Sequence, residues 1–113
     1  MRAASGWLLA AGALALSGCG ATGFSPSQPA RAVRLTAQER HGKALFVSTC
    51  GACHTLANAG THGTAGTDLD DHPWRDVYVR EVIDSGPGLM PDGLLTGSDE
   101  AAVAAYVAAV TQR

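Results

Sequence analysis

Cys50-Gly51-Ala52-Cys53-His54 is the stretch of this chain whose residue types and spacing could do chemistry. Two thiols three positions apart, followed by an imidazole, read as covalent haem attachment. Each sulfur adds to one vinyl group of the same porphyrin and leaves a lasting thioether, while a neutral imidazole nitrogen on His54 is a suitable ligand for the iron. Two rival readings use the same residues. Half a zinc site would need further ligands at suitable spacing, and the only other cysteine, Cys19, has an explanation of its own. A thioredoxin-type redox pair would sit beside a βαβ pattern, and none is evident.

A second iron ligand has one candidate. Met90 is the only methionine once the N-terminal leader is gone, so a thioether ligand must come from it. Methionine as core filler is the alternative. Held between Gly86-Pro87-Gly88 and Pro91 on an irregular segment, Met90 is better placed as a ligand than as filler. His41, His62 and His72 read as solvated or hydrogen-bonded side chains.

At 113 residues the chain has room for one domain and a small core, which a covalently held haem would enlarge as an apolar insert. The net charge of -2 includes Arg2, which leaves with the leader, so the remaining chain has 7 Lys+Arg against 10 Asp+Glu. That acidity, with no basic cluster or basic-aromatic interleaving, excludes a nucleic-acid binder.

Three elements must carry and position the site. Residues 1–18 join Arg2 to the apolar run Trp7–Leu16 and read as a signal peptide, too short to span a bilayer. Leu16-Ser17-Gly18-Cys19 resembles a bacterial lipoprotein processing site, at which Cys19 takes a lipid and becomes the new N-terminus; ordinary secretion with cleavage nearby is the alternative. Two or more acyl chains would make membrane residence stable. Residues 19–34 then form a small, polar, proline-bearing tether, and 35–113 the folded domain. With Cys19 lipidated and Cys50 and Cys53 on the haem, no disulfide remains to be made.

Within the domain, Thr36-Ala37-Gln38-Glu39 has capping-box spacing and predicts a helix from Ala37 to about Thr49, with Gly42, Leu45, Phe46 and Thr49 on one face. A glycine inside that helix predicts close approach of another backbone. Thr55 to Asp71 has three glycines and no period and predicts a loop, long enough to wrap the edge and proximal side of a haem. Pro73 is placed to start a second helix through Val77, Val79, Val82 and Ile83, closed by Asp84-Ser85-Gly86-Pro87-Gly88. Trp74 and Tyr78 are either core aromatics or point a polar edge at a haem propionate. A third helix runs from about Gly97 or Asp99 to Thr111, capped by Thr96 with Asp99, or by Ser98, with Val103, Tyr106, Val107 and Val110 as its apolar stripe.

With these residues placed, the chain from about Leu35 onward resembles the small monohaem class I cytochrome c family, especially bacterial membrane-tethered members. The resemblance implies an all-α, small cytochrome c fold: three main helices wrapped around one covalently attached haem c. It implies that Gly42 and Phe46 pack crosswise against Tyr106, that Cys50 and Cys53 carry the thioethers, and that His54 is the proximal and Met90 the distal iron ligand. Where the family often has Gly-Pro-x-Leu, this chain has Gly66-Thr67-Asp68-Leu69, so the Thr67 carbonyl takes the place of the proline carbonyl behind His54.

The function implied is single-electron transfer between respiratory redox partners, by a protein that is not an enzyme. Its expected place is outside the cytoplasm, lipid-anchored to the outer face of the bacterial cytoplasmic membrane or in the periplasm. The expected partners are the membrane, through Cys19, and transient redox proteins, with no nucleic acid and no oligomer indicated. The alternatives are a haem peroxidase or gas sensor with an open sixth site, and a haem-bearing subunit of a larger redox complex.

Overall fold

The computed structural model describes residues 32–112. The leader over 1–18, Cys19 and most of the tether lie outside the described residues. The chain divides into two units, Met1–Arg31 and Ala32–Arg113, and the fold described is that of the second. It has three helices: α1 at Ala37–Thr49, α2 at Asp76–Ser85 and α3 at Gly97–Thr111.

Helix α1 starts where local chemistry dictates. The Thr36 side chain accepts from the Glu39 N–H at 3.2 Å while Glu39 Oε2 accepts from the Thr36 N–H at 2.7 Å, so two donors at the helix start are satisfied reciprocally. Its buried residues are Gly42 and Phe46, one turn apart, and they meet α3. A Cβ on Gly42 would collide with the Ala102 carbonyl oxygen and lie 2.9 Å from Tyr106 Cβ. Glycine therefore sets how closely the two helices cross. Just beyond it Phe46 meets Tyr106 edge to face, with ring centroids 6.0 Å apart at 62°.

Helix α3 supplies most of the core. Val103, Tyr106, Val107 and Val110 are buried, with Phe46 from α1, Ile83 from α2 and Leu56 completing the cluster. Burying each such side chain contributes roughly 1.5–3 kcal/mol. Thr96 occupies the N-cap of α3 without a side-chain capping bond, and the cap expected from Asp99 is not made. Instead Asp99 Oδ1 pairs with His41 Nε2 at 2.8 Å, a second link from α3 to α1.

Helix α2 begins three residues later than Pro73 predicts. Its first residue is Asp76, because the main chain at Trp74 is taken by the end of α3. The Trp74 N–H donates to Thr111 Oγ1 at 3.0 Å, and Gln112 Nε2 donates to the Trp74 carbonyl at 2.8 Å. Both groups are spent outside α2. The helix ends at Gly86 in the left-handed region, φ 55°, where glycine is the natural residue.

The segment from Thr55 to Asp71 is more ordered than a loop. It holds a minimal antiparallel ladder, β1 at Thr55–Leu56 and β2 at Thr61–His62, in which Thr55 faces His62 and Leu56 faces Thr61. Two single 3-10 turns, at Ala57–Ala59 and Leu69–Asp71, flank the second half of that ladder and the chain beyond it. The described architecture is thus mostly helical, with this small hairpin added to the three helices expected.

Candidate haem site

The Cys50–His54 motif is one more turn added to the end of α1. Cys50 is the C-cap, its N–H on the Phe46 carbonyl, and the N–H groups of Cys53 and His54 both donate to the Cys50 carbonyl at 3.1 and 3.0 Å. The hairpin buttresses that turn from beneath. Thr61 Oγ1 donates to the His54 carbonyl at 2.9 Å and accepts the Leu56 N–H at 3.1 Å. A Cβ on Gly63 would sit 2.6 Å from the Ala52 carbonyl oxygen, so the strand end packs directly on the motif. Both cysteines are free. Burial, with the neighbouring Cys53 adding to it, pushes the Cys50 thiol up to about 11.

His54 is held from two sides. Its Nδ1 lies 2.8 Å from the Thr67 carbonyl oxygen, an acceptor only, so Nδ1 carries the proton and Nε2 presents a lone pair. The Gly66 N–H donates to the Cys53 carbonyl at 2.7 Å, fixing the same segment to the motif. A Cβ on Gly66 would lie 2.5 Å from His54 Cε1 and 2.8 Å from Nδ1. Gly66 backbone therefore lies flat on the imidazole, a role that its type alone does not announce.

Met90 reaches the site on a loop folded back onto α2. Its N–H donates to the Pro87 carbonyl at 3.2 Å, and the Gly93 N–H donates to the Ile83 carbonyl at 2.9 Å. Gly86 touches the far side of this loop, since a Cβ there would be 2.7 Å from the Met90 carbonyl oxygen.

Cys50, His54, Thr67 and Met90 share one cleft, whose two adjoining hollows measure about 680 and 1360 Å³ including space open to solvent. Cys53 lines the larger of them. The inner wall is apolar, built from Phe46, Leu69, Trp74, Val82, Ile83 and Val103. Trp74 Nε1 donates to the Leu69 carbonyl at 3.0 Å, and its ring stacks on Tyr78 with centroids 5.6 Å apart at 10°. That bond commits the indole N–H within the protein, and Tyr78 is half exposed at the cleft edge. His41, His62 and His72 are not part of either wall. Among the described residues no group of three or more His, Cys, Asp or Glu could hold a metal ion, so the zinc rival lacks its ligands. The donor set does fit a haem: two free thiols, an imidazole with its lone pair available and a thioether, around an apolar slot of ligand-binding size.

The sequence profile of the family described as cytochrome c oxidase, cbb3-type, subunit III, matches residues 37–107, which span α1, the motif, the Met90 loop and most of α3. The chain belongs to the small monohaem cytochrome c family. It is similar to the crystal structure of the c-type cytochrome SorU from Sinorhizobium meliloti, with 33% identity over 66% of this chain and 91% of that one and a TM-score of 0.61. No curated protein matches the chain. As a c-type cytochrome the protein carries covalently bound haem c with its iron, in a domain of the kind that transfers electrons.

Proposed function

We propose that this cytochrome is a single-electron carrier between respiratory redox partners and not an enzyme. When bound, the haem supplies a one-electron ferrous/ferric couple. Cys50 and Cys53 would hold it through thioethers, and His54 Nε2 and the Met90 sulfur would ligate its iron. The observation that carries this reading is the meeting of His54 and Met90, from separate segments, on one apolar cleft. With two ligands supplied by the chain, the iron would have no open site for a substrate. The Thr67 carbonyl fixes the tautomer and direction of His54, which strengthens it as a ligand.

The leader and the Leu16–Cys19 site support export, a lipid on Cys19 and, with them, a working position at the outer face of the bacterial cytoplasmic membrane or in the periplasm. No helix among the described residues is long and apolar enough to cross a membrane, so a lipid would be the attachment that this reading uses. Redox encounters are small and weak, and the tether supplies effective concentration in place of affinity.

A visible and near-infrared spectrum of the haem-loaded protein beside Met90→Ala tests the reading. A weak sulfur-to-iron band in the oxidised protein, lost in Met90→Ala, is expected. Its absence in the parent protein, together with ready carbon monoxide binding on reduction, would instead mark an open sixth site and a peroxidase or sensor. The description of the matching family as an oxidase subunit favours one further reading, a haem-bearing subunit of a larger redox complex. Migration of the membrane-extracted protein in mild detergent, alone or with other chains, separates the two.

A further inference from the structure

Charge is divided unevenly along the described chain. Residues 32–47 hold Arg34, Arg40 and Lys43 against Glu39 alone, whereas 48–112 hold nine acidic side chains against Arg75 and Arg80. Glu39 is spent on the Thr36 N–H, and Arg80 is committed to Glu100 at 3.2 Å. Basic charge therefore gathers where the chain enters α1, in a domain that is acidic elsewhere.

Helix geometry puts these cations on one surface. Arg40, Lys43 and Val47 follow one another at three- and four-residue steps, so they share the outer face of α1. Arg40 Nη1 donates to the Leu35 carbonyl at 2.8 Å, which brings its guanidinium to the main chain beside Arg34. Val33 and Val47, 43% and 49% exposed, add apolar surface at the two ends of this strip. Gly42, Phe46, Thr49 and Cys50 lie on the other side of the helix, against α3 and the cleft. On the flank, His41 is paired with Asp99.

Basic side chains among exposed apolar ones suit the headgroup layer of an anionic bilayer, where each cation gives about a five-fold gain in affinity. The proposed lipid on Cys19 lies thirteen residues before Ala32, so the chain that tethers the domain enters it beside Val33 and Arg34. An acidic protein would meet the same cations, but the bilayer is the partner that the chain itself brings to this face. We infer that the face of α1 bearing Arg34, Arg40, Lys43 and Val47 lies on the anionic headgroups of the membrane that the Cys19 lipid enters, with the haem cleft turned from the bilayer. This rests on the lipid-anchored reading and adds to it the orientation of the domain.

Lys43 is the only lysine in the sequence and reports on this face. The haem-loaded full chain, purified after export, is reconstituted with vesicles of phosphatidylcholine alone or with about 30% phosphatidylglycerol. Acetylation of Lys43 by the uncharged reagent N-hydroxysuccinimide acetate is followed by peptide mass. It is expected to be about five-fold slower or more on the anionic vesicle, and to return to the neutral-vesicle rate at about 0.5 M salt. Arg34→Gln with Arg40→Gln should abolish most of that protection, with an unchanged visible spectrum as the check on folding. Arg75→Gln should leave it in place, because Arg75 follows Trp74, which is bonded to Thr111 at the opposite end of α3 from the Asp99 that pairs with His41. Equal rates on the two vesicles, or protection that survives Arg34→Gln with Arg40→Gln, overturn the lipid contact. The intact mass decides the anchor separately. A chain without acyl groups overturns the anchored reading, and labelling of that unanchored protein on the same vesicles still decides the face.

Discussion

Gly66 lies against the imidazole of His54, close enough that a single added methyl group would fall 2.5 Å from Cε1. The next residue, Thr67, accepts the proton of the same ring on its carbonyl at 2.8 Å. One dipeptide thus sets both the tilt and the tautomer of the proposed proximal ligand.

Gly66→Ala should push the imidazole off its bond to Thr67 and weaken its hold on the iron. The expected result is a lowered yield of haem-loaded protein or a changed reduction potential, read by voltammetry. Thr67→Pro keeps the carbonyl, which is the only atom of Thr67 in that bond, and glycine tolerates a following proline. Its visible spectrum should match the parent. A Gly66→Ala protein with parental potential would show that the ring has room the structure denies it.

The α1–α3 crossing is the next place where one methyl group decides. Gly42→Ala would drive a side chain into the Ala102 carbonyl oxygen, which belongs to helix backbone and cannot move without bending α3. Overpacking of this kind costs about 1–3 kcal/mol, against which alanine's better helix propensity returns up to about 1. Thermal unfolding of the haem-loaded protein should occur several degrees lower. The Phe46–Tyr106 contact beyond it would open as well.

How much of this was legible in the sequence depends on how far each residue's partner lies along the chain. The capping box of α1 is complete within four residues, and its start at Ala37 could be read directly. The apolar stripe of α3 is equally local, and its members are buried as expected. Helix α2 starts later than Pro73 suggests because the groups that bond the Trp74 main chain come from Thr111 and Gln112, far away in sequence. The hairpin has two residues per strand, too few for any period to appear. Gly66-Thr67-Asp68-Leu69 predicts the bond from His54 to the Thr67 carbonyl but not the contact of Gly66 with the ring, because close packing of a backbone on a ring leaves no trace in residue type.

Arg80 and Glu100 tie α2 to α3, and their exposures are unequal: the Glu100 side chain is 10% exposed and that of Arg80 48%. Removing the arginine would leave a carboxylate in a poorly solvated place without its partner. Arg80→Met should therefore destabilise the protein by about 1–3 kcal/mol, read from urea unfolding. Arg80→Met with Glu100→Gln should recover much of the loss, since no unpaired charge remains. If the single and double variants unfold at the same urea concentration, the pair is solvated well enough to contribute nothing.

Tyr106 gives the pH prediction. Its ring is fully buried and its hydroxyl donates to Asn58 Oδ1 at 2.8 Å. Burial, with the negative charge of Asp70 adding to it, pushes the phenol from 10.0 up to about 12. The folded protein thus keeps its proton over a range in which the unfolded chain releases it. Stability from this group is fully present below pH 10 and is lost as pH rises through about 12, because proton release then favours the unfolded state. A shift of this size corresponds to about 2–3 kcal/mol at the upper end. In the haem-loaded protein Cys50 is proposed to be a thioether and has no thiol to titrate, so its own upward shift does not add to this slope. Urea midpoints measured from pH 9 to 12 should fall across the window. Tyr106→Phe should start lower, having lost the bond to Asn58, and should fall less steeply. Parallel curves for the two proteins would assign the alkaline loss to other groups.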